Sequence, residues 1–260
     1  MKGLVVIKGG GDLATGIAHR LFRSRFKVVI TEVDKPTVVR RTVAFAQAIF
    51  SGEIAVEGVR AKLTEMSDIH ATLSQDMIPV VIDPSATCIS QLKPDAVVDA
   101  IIAKSNTGTA LSDAPVVIGI GPGFTAGVDV GAVVETMRGH DLGRVYYEGG
   151  AIKNTGIPGE VGGYTLERLI KSPAPGEFAS LRNIGDTVCA GDVVGTVNGV
   201  EVKVAIPGIL RGLIQDGILV TTGMKIGDVD PRCRQEHCHS ISDKARAVAG
   251  GALEAILHLR

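Results

Sequence analysis

The sequence has no tryptophan, only 3% aromatic residues and four cysteines in 260 residues. It also lacks an excess of charge of either sign, with Lys+Arg 27 against Asp+Glu 28. A chain so balanced carries no long-range positive field to hold a polyanion, so nucleic acid is not an expected partner. Cys88, Cys189, Cys233 and Cys238 are too few and too unevenly spaced for a disulfide framework in a chain of this length. No apolar run is long enough to span a bilayer, and the N-terminus enters a strand pattern without the basic and apolar regions of a signal peptide. The expectation is a cytoplasmic protein with no membrane partner.

What is abundant is aliphatic. Hydrophobic residues make up 45% of the chain alongside 33 glycines, and the apolar runs are short and rich in Val and Ile. That is the profile of buried parallel strands in an α/β protein. The length suffices for a sizeable core divided between two unequal domains.

The most informative stretch is "GLVVIKGGGDLATGIAHRLFRSRFKVVITEVD". An apolar run, Leu4 to Lys8, precedes a glycine cluster. From Leu13 the apolar positions Leu13, Ile17, Leu21 and Phe22 recur at helical spacing, and a second run from Lys27 to Thr31 ends at Glu32. The order is strand, glycine turn, helix, strand. Gly9, Gly11 and Ala14 occupy the three positions of the Gly-x-Gly-x-x-Ala form of the dinucleotide fingerprint. Gly9 would permit the tight turn, Gly11 the approach of a pyrophosphate to the backbone, and Ala14 close packing of helix on strand. N–H groups at the helix start would face the phosphates. Glu32 stands 23 residues after Gly9, close to where an acidic residue accepts hydrogen bonds from a ribose diol. Asp12 belongs to the same loop. Its carboxylate is unfavourable beside a pyrophosphate unless it turns away to cap the helix. The alternative is a tight turn that binds nothing.

Further strands are predicted at 54–57, 79–84, 95–102, 114–123, 133–136 and 144–147, with "RTVAFAQAIF" helical. Gly121 and Gly123 in "GIGPGFTAGVD" would lie at the carboxyl end of a strand, either as an anion nest or as a crossover turn. The glycine-dense segment after it carries His140, a candidate catalytic or ligand-binding residue.

Toward the C-terminus the sequence repeats itself. Gly185, Val188, Gly191 and Gly195 recur as Gly217, Val220, Gly223 and Gly227, each 32 residues on. Residues 175 to 231 resemble the biotinyl/lipoyl-like barrel-sandwich hybrid. Its hairpin tip is here Asn198-Gly199, suited to a type I′ turn, and Lys203 lies in the following strand. Neither biotin nor lipoate is therefore expected. Beyond the repeat, Cys233, His237, Cys238 and His239 gather soft and borderline metal ligands within seven residues, with zinc the candidate ion. Cys238, flanked by two histidines, is also the candidate nucleophilic thiol. A final helix begins at Ser242 or Asp243 and contains the helix-weakening pair Gly250-Gly251.

Together, "GGGDLATGIAHRL", "RRTVAF", "GPGFTAGVDV", "RGHDLGRV", "NTGIPG", "RGLI", "GMKIGDVDPR" and "ISDKA" resemble, over nearly the whole chain, the YqeB family of the selenium-dependent molybdenum hydroxylase system. The resemblance implies a maturation factor that handles a molybdopterin-type or other pyrophosphate-containing cofactor and meets a molybdenum hydroxylase apo-protein. The expected architecture is a Rossmann-like, mostly parallel nucleotide-binding domain over 1–170. An unmodified barrel-sandwich hybrid over 171–232 and a Cys/His segment with a helix over 233–260, packing back on the first domain, would follow. The competing readings are an NAD-dependent oxidoreductase and a non-enzymatic scaffold that binds a hydroxylase subunit through the barrel. Monomer and homo-oligomer are both compatible with the sequence.

Overall fold

The computed structural model describes residues 3–260, which form two compact units. One comprises Met1–Pro36, Ala44–Thr155 and Ile241–Arg260, the other Thr37–Val43 and Gly156–Ser240. The Cys/His run thus belongs to the second unit and the C-terminal helix to the first.

In chain order the first unit contains β1 (Leu4–Lys8), α1 (Asp12–Arg23), β2 (Lys27–Glu32), α2 (Ala48–Ser51), β3 (Glu53–Val56) and β4 (Val59–Leu63). There follow α3 (Ile69–Ser74), β5 (Ile78–Ile82), α4 (Cys88–Leu92), β6 (Ala96–Asp99), β7 (Val116–Ile120), β8 (Ala132–Val134) and β9 (Val145–Tyr146). The helix α5 (Asp243–Leu259) completes it. The nine strands form one sheet in the order β3-β4-β5-β2-β1-β6-β7-β8-β9.

The expected Rossmann-like fold is not what forms. The sheet is mixed, because β3 runs antiparallel to β4 at one edge and β9 antiparallel to β8 at the other. Among the described residues only α1 and α5 reach eight residues. The parallel step from β6 to β7 carries a three-residue 3-10 turn, Leu111–Asp113, where a doubly wound sheet would carry a helix. The local causes are visible in the sequence. Glu57 and Gly58 both take positive φ, 46° and 80°, and make a two-residue hairpin that adds β4, a strand missing from the sequence reading. The stretch expected as a helix from Arg41 divides into 3-10 turns and the single turn α2.

The apolar stripe of α1 buries Leu13, Ile17 and Leu21, and the helix ends where Arg25 turns left-handed at φ 71°. Helix α5 starts at Ser242, whose side chain accepts the N–H of Ala245. A Cβ on Gly16 would sit 2.9 Å from the Cβ and carbonyl oxygen of Ala245, so the missing side chain lets α1 and α5 approach closely. On one side of the sheet Val6, Val29, Val81 and Val97 pack with Ile69 and Leu73 of α3 and Cys88 of α4.

The second unit contains β10 (Leu169–Lys171), β11 (Gly176–Ser180), β12 (Thr187–Val188), β13 (Val193–Val197), β14 (Val200–Lys203), β15 (Gly208–Leu213), β16 (Leu219–Val220) and β17 (Lys225–Asp230). They make two four-stranded antiparallel sheets, β10-β17-β15-β12 and β14-β13-β11-β16. The sequence repeat is carried into this topology, since β11, β12 and β13 begin 32 residues before β15, β16 and β17. Asn198 and Gly199 form the β13–β14 turn with φ of 47° and 82°, and Lys203 ends β14 beside Glu201 at 2.8 Å. Segment 37–43 joins this unit through the N–H of Leu213, which donates to the carbonyl of Val39 at 2.8 Å.

Candidate functional site

Strand β1 hydrogen-bonds to β2 on one side and to β6 on the other. Because the chain proceeds from β1 to β2 and returns only later as β6, strand order reverses at β1. In open parallel sheets the carboxyl ends of the strands at such a point form the usual ligand crevice. The glycine cluster lies there.

Gly9 has φ of 88°, and a Cβ on it would stand 3.1 Å from the backbone of Ile101. Only glycine satisfies both conditions. Its N–H continues the ladder to the carbonyl of Thr31. A Cβ on Gly10 would meet the backbone nitrogen of Ala46 at 2.9 Å, and that nitrogen donates to the Gly10 carbonyl at 2.9 Å. Thr15 reaches back to the same carbonyl and accepts the N–H of Phe45 at 2.8 Å. The loop is therefore held from one side by residues 45–46. Gly11 caps α1 in extended conformation without a side-chain acceptor. Asp12 opens the first turn, half-buried, and Ala14 is fully buried as close packing of the helix requires.

Glu32 is arranged differently from a residue waiting for a ribose. Its Oε1 accepts the N–H of Gly10 at 2.8 Å and its Oε2 the N–H of Val33 at 2.9 Å. Burial raises its pKa above the ordinary carboxyl value, against the two amides, which favour the charged form. Gly121 gives its N–H to the carbonyl of Val134, while a Cβ on Gly123 would lie 2.9 Å from the backbone of Ser105. Both glycines thus serve the packing of their loop. His140 is exposed in the turn between β8 and β9.

In the second unit the C-terminal ligand candidates separate. Cys233 is exposed and Cys238 buried, and all four cysteines are free. Among the described residues no three His, Cys, Asp or Glu side chains group as a metal site requires. Burial raises the Cys238 thiol, although Arg211 and Arg40 oppose the shift. Its Sγ lies 3.9 Å from the carbonyl oxygen of Leu210. Burial acts against the lowered thiol pKa that nucleophilic transfer calls for. His237 turns its Nδ1 toward Asp230 Oδ2 at 3.5 Å, and Arg232 grips both oxygens of that carboxylate. His239 is exposed. Arg232 and Arg211 hold the pKa of Asp230, despite its burial, well below the carboxyl range, whereas His237 Nδ1 makes no hydrogen bond to it.

Sequence reasoning missed three residues of the crevice. Lys8 and Asp99 end β1 and β6 as register partners, both buried. Thr109 bridges them, accepting from Lys8 Nζ at 2.6 Å and donating to Asp99 Oδ2 at 2.6 Å. The signal that could have found the pair is a single charge closing each of two otherwise apolar runs, "LVVIK" and "AVVD".

The first unit is thus an open α/β sheet with a charged crevice at its centre, and the second an antiparallel β unit without a grouped metal site among its described residues. No family model matches the chain. Over 257 residues it is 51% identical to the protein of Escherichia coli (strain K12) described as "Uncharacterized protein YqeB", a match to 98% of this chain and 48% of that protein. The chain belongs to the YqeB family and spans about half the length of this relative. Among solved structures it is similar to an aspartoacylase family protein from Mesorhizobium loti, 10% identical over 87% of this chain and 83% of that one, TM-score 0.26. It is also similar to the ectoine utilization protein EutE from Ruegeria pomeroyi, 12% identical over 87% and 85%, TM-score 0.27. Likenesses this slight carry neither fold nor activity. No described helix is long and apolar enough to cross a membrane.

Proposed function

We propose that this chain is a maturation factor for selenium-dependent molybdenum hydroxylases, holding a pyrophosphate-containing nucleotide or a molybdopterin-type cofactor at the glycine loop for an apo-hydroxylase. The observation that carries the reading is the position of Gly9–Gly11 at the carboxyl end of β1, where strand order reverses, directly before a twelve-residue helix capped by glycine. A helix start capped by glycine, with no side-chain acceptor from the cap, suits an anion, because the helix dipole and N–H groups directed out of a helix N-terminus favour negative charge. The role itself is suggested by the motif resemblance in the sequence, and membership of the YqeB family is compatible with it. In this reading Glu32 braces the loop through Gly10 and touches no ribose. Four free cysteines suit a cytoplasmic protein.

Calorimetric titration of the full chain with dinucleotides that share the diphosphate, including a molybdopterin dinucleotide, tests the reading. Binding that weakens at least tenfold in Gly11→Asp, with an unchanged melting temperature, is the expected result. Absence of binding by the wild type removes the proposal.

A further inference from the structure

A second cleft opens beside the crevice, with a volume of about 710 Å³, a size typical of small-molecule sites. Lys8 lines it, whereas none of Gly9, Gly10 and Gly11 does. Its walls are the turn and helix around α4, with Ser85 and Ser90, and the chain leading into β7, with Ser112.

Lys8 is buried, and a buried ammonium is costly unless its three donors are used. One goes to Thr109 Oγ1 at 2.6 Å. Asp99 Oδ2 stands 3.6 Å away, an ion-pair distance too long for a hydrogen bond. The carboxylate is engaged elsewhere, since Oδ2 accepts from Thr109 and Oδ1 accepts the N–H of Ile101 at 3.2 Å. Asp99 therefore holds the lysine in place from behind, and the charged member of the pair that lines the cleft is the cation. Lys93 adds a second cation at the rim. The rim acids are tied to other groups: Asp95 accepts the N–H of Leu4 and faces Arg260, and Asp113 accepts the N–H of Ala110.

Backbone strain collects beside the pair. Ile102 and Lys104, in the loop after Asp99, have φ of 60° and 67°. For a β-branched residue this conformation is a true outlier, and such strain gathers at ligand sites. We infer that this cleft is a second small-molecule site, which takes an oxyanion, carboxylate or phosphate, on Lys8 Nζ, with the hydroxyls of Ser85 and Ser112 fixing its orientation. The inference stands apart from the glycine-loop reading.

Thermal-shift titrations of the full chain with inorganic phosphate and with succinate, against chloride at equal ionic strength, provide the test. A saturable rise in melting temperature above the chloride control is expected with at least one of them. Saturation by phosphate alone identifies a phosphoryl ligand, and saturation by succinate alone a carboxylate. Lys8→Met should weaken the effect at least tenfold. Because that variant leaves Asp99 buried without its cation, Ser112→Trp, at an exposed wall position, provides an independent blockade and should abolish the shift. Gly11→Asp should leave it unchanged, which separates this site from the glycine loop. No saturable response to either anion, or an unaltered response in Ser112→Trp, overturns the inference.

Discussion

The N–H of Gly10 donates to Glu32 Oε1 at 2.8 Å, so the acidic residue ending β2 closes the glycine loop. Gly10 is buried, so its amide loses its hydrogen-bond acceptor if the carboxylate is removed. Glu32→Ala should cost about 1–3 kcal/mol in urea denaturation, the usual penalty for an orphaned buried donor.

The same residue makes stability depend on pH. Burial raises the Glu32 pKa above its ordinary 4.5, so the folded state holds this proton more tightly than the unfolded state does. Stability from this group therefore falls as pH rises from the ordinary value through the raised one, and stays lower above it. Glu32→Gln keeps an oxygen for Gly10 and cannot titrate. The difference in unfolding free energy between wild type and Glu32→Gln should decline across that window, and a flat difference would contradict the assignment.

Helix α5 contains two adjacent glycines in opposite circumstances. A Cβ on Gly251 would lie 2.3 Å from the carbonyl oxygen of Gly143, whereas one on Gly250 meets only the tip of Arg20 at 3.9 Å. Gly250→Ala should stabilise by about 1 kcal/mol through helix propensity. Gly251→Ala should destabilise despite the same propensity gain. Paired thermal melts decide it.

Arg168 and Asp228 form a buried ion pair at 2.8 Å in the second unit. Arg168→Met should cost about 3–5 kcal/mol because it strands a buried carboxylate, and adding Asp228→Leu should recover much of that loss. A double mutant as unstable as the single would show that the cost is packing alone.

Thiol reactivity should follow burial. Cys189 and Cys233 are exposed, while Cys88 and Cys238 are buried, the Cys88 thiol pushed up to about 12 by burial and by Asp83. Native protein should release two equivalents with a disulfide reagent at pH 8, and four only after unfolding. Fast reaction at Cys238 would restore it as a candidate nucleophile.

Much of this architecture is legible locally. The run Leu4–Lys8, the helix of Leu13, Ile17 and Leu21, the turn at Asn198-Gly199 and the 32-residue repeat all reflect short-range rules: alternation, helical period and tolerance of positive φ. Other features escaped a linear reading because their causes are distant. The antiparallel edges that make the large sheet mixed depend on which strand finds which neighbour. Glu32 looked like a ribose ligand by spacing, yet its oxygens go to Gly10 and Val33. Cys238 stands beside two histidines in the sequence, yet it is buried against β15, and burial raises its thiol pKa.

By itself the sequence determined the first strand, the helix after the glycine loop, the Asn198-Gly199 turn and the 32-residue repeat, because backbone preference and side-chain period act over a few residues. Only the tertiary structure decided that Lys8, Asp99 and Thr109, separated by up to 101 positions, would meet in one buried network. Charge and hydrogen bonding act through space at a few ångströms, and that proximity is a property of the folded sheet and not of the order of residues along the chain.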